Sequence, residues 1–145
     1  MTIFINGVTL APGMKTNIDF QLGLLHFVHL LVNVDGRIDE REKTAILAIR
    51  AEEKIPDSVF QDFEKYVLSS TEQEVYGRGV ELLNTCTEEE KICAFVHLYR
   101  LAEADTSISN KEVRFLIYGL KLTHIDFEDV ILSASLTKAN KHEES

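Results

Sequence analysis

The sequence predicts an all-α fold: about seven helices in an antiparallel bundle, with an internal helix-turn-helix duplication and a short N-terminal β-hairpin. Three observations predict it. Apolar residues recur with helical spacing, helix-start signals stand at seven places, and the connections between them are short. With 145 residues, the chain has the size of one domain and is long enough to bury roughly 68–70% of the surface that its unfolded form exposes.

The first predicted element is the hairpin. Residues 2–5 and 8–11 are mostly apolar or β-branched, and Asn6-Gly7 between them supplies the two positive-φ positions of a type I′ turn. An isolated hairpin is marginal in water. We therefore expect it to lie against the helices or to pair with a second copy of the chain, as the contact of a homodimer.

Seven helices follow. Each predicted start carries a residue that caps helix N-termini, and four starts add a glutamate three residues later, which completes a capping box. The predicted helices run from residue 16 or 17 to about 34, from 39 to about 53 and from 57 or 58 to about 68, and the others begin at 71, 87, 109 and 126.

These elements divide the chain into three predicted segments. The hairpin occupies residues 1–14 and the helical domain residues 15–137. Residues 138–145 have no apolar side chain beyond Ala139, so they are expected to form a disordered tail.

The first and fifth predicted helices are expected to be central, because apolar side chains cover most of their circumference. The sixth has a single apolar stripe, as expected of a helix on the outside. The two central helices each keep one narrow polar side, formed by Asp19, His26, His29 and Asn33 in the first and by His97, Arg100 and Glu103 in the fifth.

Composition excludes several classes of protein. Twenty-four acidic and 15 basic residues give a net charge of -9, which repels phosphate backbones and anionic membranes, so nucleic acid is not an expected partner. No window approaches the ~20 apolar residues of a membrane span, and the first residues do not resemble a signal peptide. We expect a cytoplasmic protein without direct membrane insertion, in which Cys86 and Cys93 are buried free thiols.

Two acidic turns carry the same pattern. The string V-D-G-R-I-D-E-R-E follows the first predicted helix, and A-D-T-S-I-S-N-K-E follows the fifth. The two strings align with each other without a gap. A repeat of this kind predicts a duplicated unit of helix, acidic turn and helix. The corresponding acidic residues of the two copies are seventy positions apart: Asp35 corresponds to Asp105, and Glu42 corresponds to Glu112.

The first turn resembles a calcium-binding loop in all but the first ligand, which is Leu31; the second turn also begins with a leucine, Leu101. Carboxylate oxygens are the ligands that hard divalent cations prefer, so Ca²⁺ or Mg²⁺ is expected rather than Zn²⁺. The candidate metal ligands are Asp35, Asp39, Glu42, Asp105 and Glu112.

Helix capping is the alternative explanation of the same residues. Asp39 with Glu42, and Ser109 with Glu112, can satisfy the free amides of a helix start, and a cap contributes about 1 kcal/mol. In this interpretation the turns bind no metal, the remaining aspartates are solvated or bond locally, and the chain is a structural protein–protein interaction module. The hairpin edge or a groove between helices then holds the partner.

Other chemistry has weaker support. His26 and His29 have a spacing suitable for zinc, but no Cys or His motif supplies a third ligand. The sequence contains no nucleophile motif and no phosphate-binding glycine loop, so we expect no enzyme. Metal-assisted hydrolysis of a phosphate ester by the acidic cluster is a third, minor hypothesis.

The doubled A/V-D-G/T-x-I-x-x-x-E string in an acidic helical chain resembles the TerB family of tellurite-resistance proteins and related TerB-like domains, over about residues 18–136. The resemblance implies a bundle of about seven helices whose acidic motifs come together. It implies metal binding or sensing, participation in stress response and tellurite resistance, and protein partners that include membrane-associated complexes. It implies no catalysis. The motif matches Asp35, Gly36, Glu42, Asp105 and Glu112, whereas Thr106 replaces the usual glycine and the hairpin is not part of the pattern.

Overall fold

The computed structural model describes residues 17–33, 40–104 and 110–144, except for the side chains of 41, 42, 104 and 137–144. Within these ranges the chain forms seven helices and no strand, which confirms the all-α class; the predicted hairpin lies outside them. None of the described helices is long and apolar enough to cross a membrane. The helices are α1 Ile18–Asn33, α2 Glu40–Glu53, α3 Asp57–Leu68, α4 Glu72–Asn84, α5 Glu88–Ala104, α6 Asn110–Leu122 and α7 Phe127–Glu144. Helix α7 thus includes residues 138–144, for which the sequence predicts a tail.

Capping explains where several helices begin. Thr71 and Glu74 form both bonds of a capping box at α4, at 3.1 and 2.8 Å, and Thr87 and Glu90 do the same at α5, at 3.1 and 2.9 Å. Oδ1 of Asn17 accepts two backbone N–H bonds from the first turn of α1, at 3.0 and 3.3 Å. The predicted caps at residues 39 and 109 lie outside the described ranges.

Two helices end at a left-handed residue that is not glycine. Lys54 after α2 has φ 53°, and His124 after α6 has φ 62°. In each case the N–H of the next residue, Ile55 or Ile125, donates to the carbonyl five residues earlier at 3.0 Å, as in a Schellman motif. Both isoleucines are buried, so these turns bring the chain back to the core.

Helices α1 and α5 are central, as the sequence predicts. Helix α1 packs against α2, α3, α4 and α5, and α5 packs against α1, α4, α6 and α7. The rings of Phe27 on α1 and Phe95 on α5 are fully buried and their centroids are 5.8 Å apart. Tyr76 of α4 and Phe115 of α6 contact Phe27 edge to face, at 5.5 and 5.6 Å. This aromatic cluster therefore joins four helices.

The prediction that His26 and His97 lie on polar sides is wrong. His26 is 0% exposed and His97 is 8% exposed. Helix α4 approaches α1 closely at Gly79, next to the Cβ of His26, and the C-terminal end of α2 covers His97 through Glu53. A polar side only one residue wide is narrower than a neighbouring helix, so the neighbours bury both imidazoles.

Candidate functional site

Most of the predicted acidic site lies outside the described residues. Asp35, Asp39 and Asp105 are not described, and Glu42 is described only as a backbone position in α2. Glu112, in the first turn of α6, is the one predicted ligand whose side chain is described. The five-residue cation site therefore stays a prediction.

Glu112 is fully buried, with 0% exposure. One helical turn further along α6, Phe115 contacts Phe27 of α1, so the start of α6 lies against the core. A buried carboxylate needs hydrogen bonds, a paired charge or a cation to offset its lost hydration. Capping alone does not require burial, because Glu74, which completes the capping box of α4, is exposed.

The two helices that lead into the acidic turns run in the same direction. Near their starts, Nδ2 of Asn17 donates to Oε2 of Glu90 at 2.9 Å. Further along both helices, Phe27 contacts Phe95. Since residue numbers rise together along the contact, the C-terminal ends of α1 and α5 point to the same end of the molecule.

A second cluster of potential ligands lies between α2 and α5, and the sequence-based predictions do not include it. The ligand atoms of Glu53, Cys93 and His97 all lie within 4.8 Å of one another. Nε2 of His97 is 2.7 Å from Oε2 of Glu53, and Sγ of Cys93 is 3.8 Å from the same oxygen. Oε1 of Glu52 is 4.0 Å from the other ring nitrogen, Nδ1 of His97.

The charges around His97 favour its protonated form. Burial alone lowers the pKa of this imidazole, but the hydrogen bonds to Cys93 and Glu53, together with the nearby Glu52, raise the pKa overall to about 9. In the absence of a metal, His97 and Glu53 therefore form a mostly buried imidazolium–carboxylate pair. Cys93 is a partly buried free thiol, as is Cys86.

Helix geometry brings these side chains together. Cys93 and His97 are four residues apart on α5, so they share one face. Glu53 is the last residue of α2, and Nε2 of the buried Gln21 of α1 donates to its backbone carbonyl at 3.1 Å. This bond holds the end of α2 against α1. The C-x-x-x-H spacing was visible in the sequence, but the approach of Glu53 depends on tertiary packing.

The predicted zinc spacing of His26 and His29 does not lead to a metal cluster. Nδ1 of His26 donates to the carbonyl of Leu22 at 2.6 Å, and its ring lies against Phe63 and Tyr66, with centroids 5.6 and 5.3 Å away. Burial lowers the pKa of His26 to about 4, and Arg78 and His29 contribute to the decrease. Within the described ranges, no third ligand joins the two histidines.

An apolar groove of about 820 Å³ opens between α2 and α3. Its apolar lining includes Ile46, Leu47, Phe60, Phe63, Val67 and Leu68, and basic residues stand beside it: Lys43, Arg50 and Lys65. Leu47 is 65% exposed and Leu68 is 87% exposed. Large leucines with this exposure at one groove are a feature of surfaces that bind partners.

No protein-family model, curated protein or solved structure matches this chain. The TerB resemblance therefore stays a prediction based on the two acidic turns. Function has to be argued from the arrangement of the residues.

Proposed function

We propose that this chain is a non-enzymatic TerB-like helical domain whose two acidic turns bind or sense a divalent cation, Ca²⁺ or Mg²⁺ rather than Zn²⁺. The helices form an antiparallel bundle in which α1–α2 and α5–α6 are the duplicated units. The cation binds to an acidic surface formed by the two repeated turns, and its ligands are Asp35, Asp39, Glu42, Asp105 and Glu112.

The main support for this proposal is that α1 and α5 run in the same direction. Helix α1 continues six residues beyond Phe27, and α5 continues nine residues beyond Phe95, or about 9 and 14 Å at 1.5 Å per residue. Both turns then begin at the same end of the molecule. Had the helices been antiparallel, the aspartates would start from opposite ends and could not share a cation.

Charge gives a second support, since Glu112 adds a carboxylate near the second acidic turn. The side chain sits in the first turn of α6, directly after the second acidic turn. Several carboxylates at one end of a chain with net charge -9 also attract cations over a distance.

Thermal unfolding in metal-free buffer tests the proposal. Millimolar Ca²⁺ or Mg²⁺ is expected to raise the midpoint of the wild type, because a ligand that binds only the folded state stabilises it. Asp35→Asn/Asp105→Asn is expected to abolish the increase. Asp62→Asn/Asp129→Asn is the matched control, since it removes the same charge at exposed positions of α3 and α7. A wild type that responds to neither cation contradicts the proposal.

The biological role follows from the resemblance. In this proposal the cation-bound surface recruits a protein partner in a stress-response or tellurite-resistance complex that is associated with a membrane through other proteins. The hairpin serves as a homodimer contact. Sedimentation velocity of a chain that begins at Lys15 tests the hairpin: an unchanged mass would exclude it as the dimer contact.

The α2–α3 groove favours a second candidate function, a metal-free interaction module in which the acidic residues of the turns are helix caps. The occupant we propose is an acidic amphipathic helix of another protein. Its apolar face fits the leucine- and phenylalanine-lined floor, and its carboxylates meet Lys43 and Lys65 at the margin.

Fluorescence anisotropy of a labelled acidic amphipathic peptide tests this candidate. Leu47→Asp and Leu68→Asp are expected to weaken binding at least tenfold. Leu132→Asp is the matched control, because Leu132 on α7 is 59% exposed but does not line the groove. Equal binding by all three variants would show that the peptide does not use the groove.

A further inference from the structure

We propose that Glu53, Cys93 and His97 form a binding site for a zinc-type transition metal, separate from the acidic turns. The site lies where the C-terminal end of α2 meets the middle of α5. It supplies one carboxylate oxygen, one thiolate and one imidazole nitrogen, a ligand set that selects Zn²⁺ and excludes Ca²⁺ and Mg²⁺ because the sulfur and the nitrogen are softer ligands than oxygen.

The distances suit tetrahedral coordination after a small adjustment. Bonds of about 2.0–2.3 Å from zinc to N, O and S place ligand atoms about 3.3–3.7 Å apart. Sγ of Cys93 is 3.8 Å from Oε2 of Glu53. Nε2 of His97 and the same oxygen are hydrogen bonded at 2.7 Å and must separate by roughly half an ångström, which a carboxylate rotation provides. Three protein ligands leave a fourth position for water.

The surrounding charges favour a cation. Glu52 and Glu53 both lie in the last turn of α2, where the negative end of the helix dipole disfavours carboxylates. A divalent ion between Glu53 and His97 offsets this cost. Glu52 then faces Nδ1 of His97 from 4.0 Å, and a carboxylate beside the second ring nitrogen is the usual outer partner of a metal-bound histidine.

The position of Glu53 is held independently of any metal. Gln21, which is 2% exposed, fixes its backbone carbonyl, and Cys93 and His97 share one face of a buried helix. Binding of the ion then displaces the protons of the thiol and the imidazolium, which pass to solvent. The site needs no folding step of its own.

The two proposed sites are well separated. Glu42 lies near the start of α2 and Glu53 is its last residue, so the two positions are eleven residues, or about 16 Å, apart along the helix. Each site can therefore be tested without the other. Neither the ligands nor the preferred metals overlap.

Cobalt titration of the reduced, metal-free protein tests the proposal, because a thiolate bound to Co²⁺ gives a charge-transfer absorption band. The wild type is expected to develop this band at a stoichiometry of one ion per chain and to lose it when Zn²⁺ is added. Cys93→Ser is expected to abolish the band, and His97→Gln to weaken Co²⁺ affinity at least tenfold. Cys86→Ser, which removes the other partly buried thiol, is the matched control and keeps the band.

The outcomes separate the alternatives. The site is refuted if the wild type gives no band, or if Cys93→Ser retains it; the cluster is then only a hydrogen-bonded ion pair. Circular dichroism verifies that each variant is folded, and His97→Gln provides the test if Cys93→Ser unfolds. Asp35→Asn/Asp105→Asn is expected to keep the cobalt band, so failure of the acidic-turn proposal leaves this one standing.

Discussion

Gly79 of α4 packs directly against His26 of α1: a Cβ added to the glycine would lie 3.2 Å from the Cβ of the histidine. Few real Cβ atoms are so close to a neighbour, and the Cβ of a buried helix residue has little freedom to move. The glycine therefore sets the distance between α1 and α4. Gly77, two residues earlier on the same helix, is exposed and would place its Cβ in open space.

This difference predicts opposite effects of the same substitution. Gly77→Ala is expected to raise the free energy of unfolding by about 1 kcal/mol, because alanine has the higher helix propensity. Gly79→Ala gains the same propensity but is expected to be net destabilising through its contact with His26. Urea denaturation measures both. Equal stabilisation by the two substitutions would mean that α1 and α4 are not tightly packed at this point.

Burial of His26 predicts a loss of stability in acid. Its pKa is about 4 in the folded chain and 6.5 in the unfolded chain, so the unfolded state binds more protons between these values. The free energy of unfolding therefore falls as pH decreases from 6.5 to 4, by up to about 3 kcal/mol from this residue. Above pH 6.5 both states hold neutral His26, and the residue adds no pH dependence.

His26→Gln checks the assignment, because glutamine does not titrate. We expect the variant to be less stable than the wild type at pH 7 but to lose less stability between pH 6.5 and 5, as measured by urea denaturation. A variant His26→Gln with the wild-type pH dependence would contradict the burial of a neutral imidazole.

Local signals in the sequence predicted the helices well, because they depend on nearby residues. The capping boxes of Thr71 and Thr87 formed as expected, and the apolar circumference of α1 correctly indicated a central helix. The sequence did not predict which polar side chains a neighbouring helix would cover. The residue type of His26 and His97 predicts that they lie on polar sides, whereas their burial depends on how closely α4 and the end of α2 approach.

The same contrast, between local sequence patterns and packing of distant helices, applies to the two candidate sites. The acidic turns are visible in the sequence because each copy is contiguous, and Glu112 is the one predicted ligand whose side chain the structure describes. Its complete burial does not follow from its predicted position in a capping box. The Glu53 cluster requires α2 and α5 to meet, so only the spacing of Cys93 and His97 was available beforehand. Contacts between distant helices are decided by packing, which single-residue patterns do not encode.

The left-handed turns after α2 and α6 predict stabilising substitutions. Lys54 and His124 adopt positive φ, which is unfavourable for residues with a Cβ by about 1–2 kcal/mol. His124→Gly and Lys54→Gly are therefore expected to raise stability by up to about 1 kcal/mol, since part of the gain is lost to the greater entropy of unfolded glycine. His124→Ala is the control and should change little. Thermal or urea unfolding measures the stability of these variants. If His124→Ala is as stabilising as His124→Gly, the left-handed conformation of this residue is contradicted.

Glu90 forms hydrogen bonds at the starts of two helices, α1 and α5, whereas Glu74 caps the start of α4. Both complete a capping box, but Glu90 also accepts a hydrogen bond from Nδ2 of Asn17, the residue that caps α1. Glu74→Ala is expected to cost about 1 kcal/mol, as for the loss of a cap. Glu90→Ala is expected to cost about 1 kcal/mol more, because a second, partly buried hydrogen bond is broken.

A double-mutant cycle isolates this added contribution. Asn17→Ala and Glu90→Ala, alone and together, are expected to give a coupling of at least about 0.5 kcal/mol in urea denaturation. Asn17→Ala with Glu74→Ala is the control pair and should be additive, because Glu74 caps α4 and makes no bond to Asn17. An additive result for Asn17 and Glu90 would mean that this hydrogen bond does not help to hold the starts of α1 and α5 side by side. A measurable coupling would make this bond part of what keeps α1 and α5 running in the same direction, the arrangement on which a shared cation site at their far ends depends.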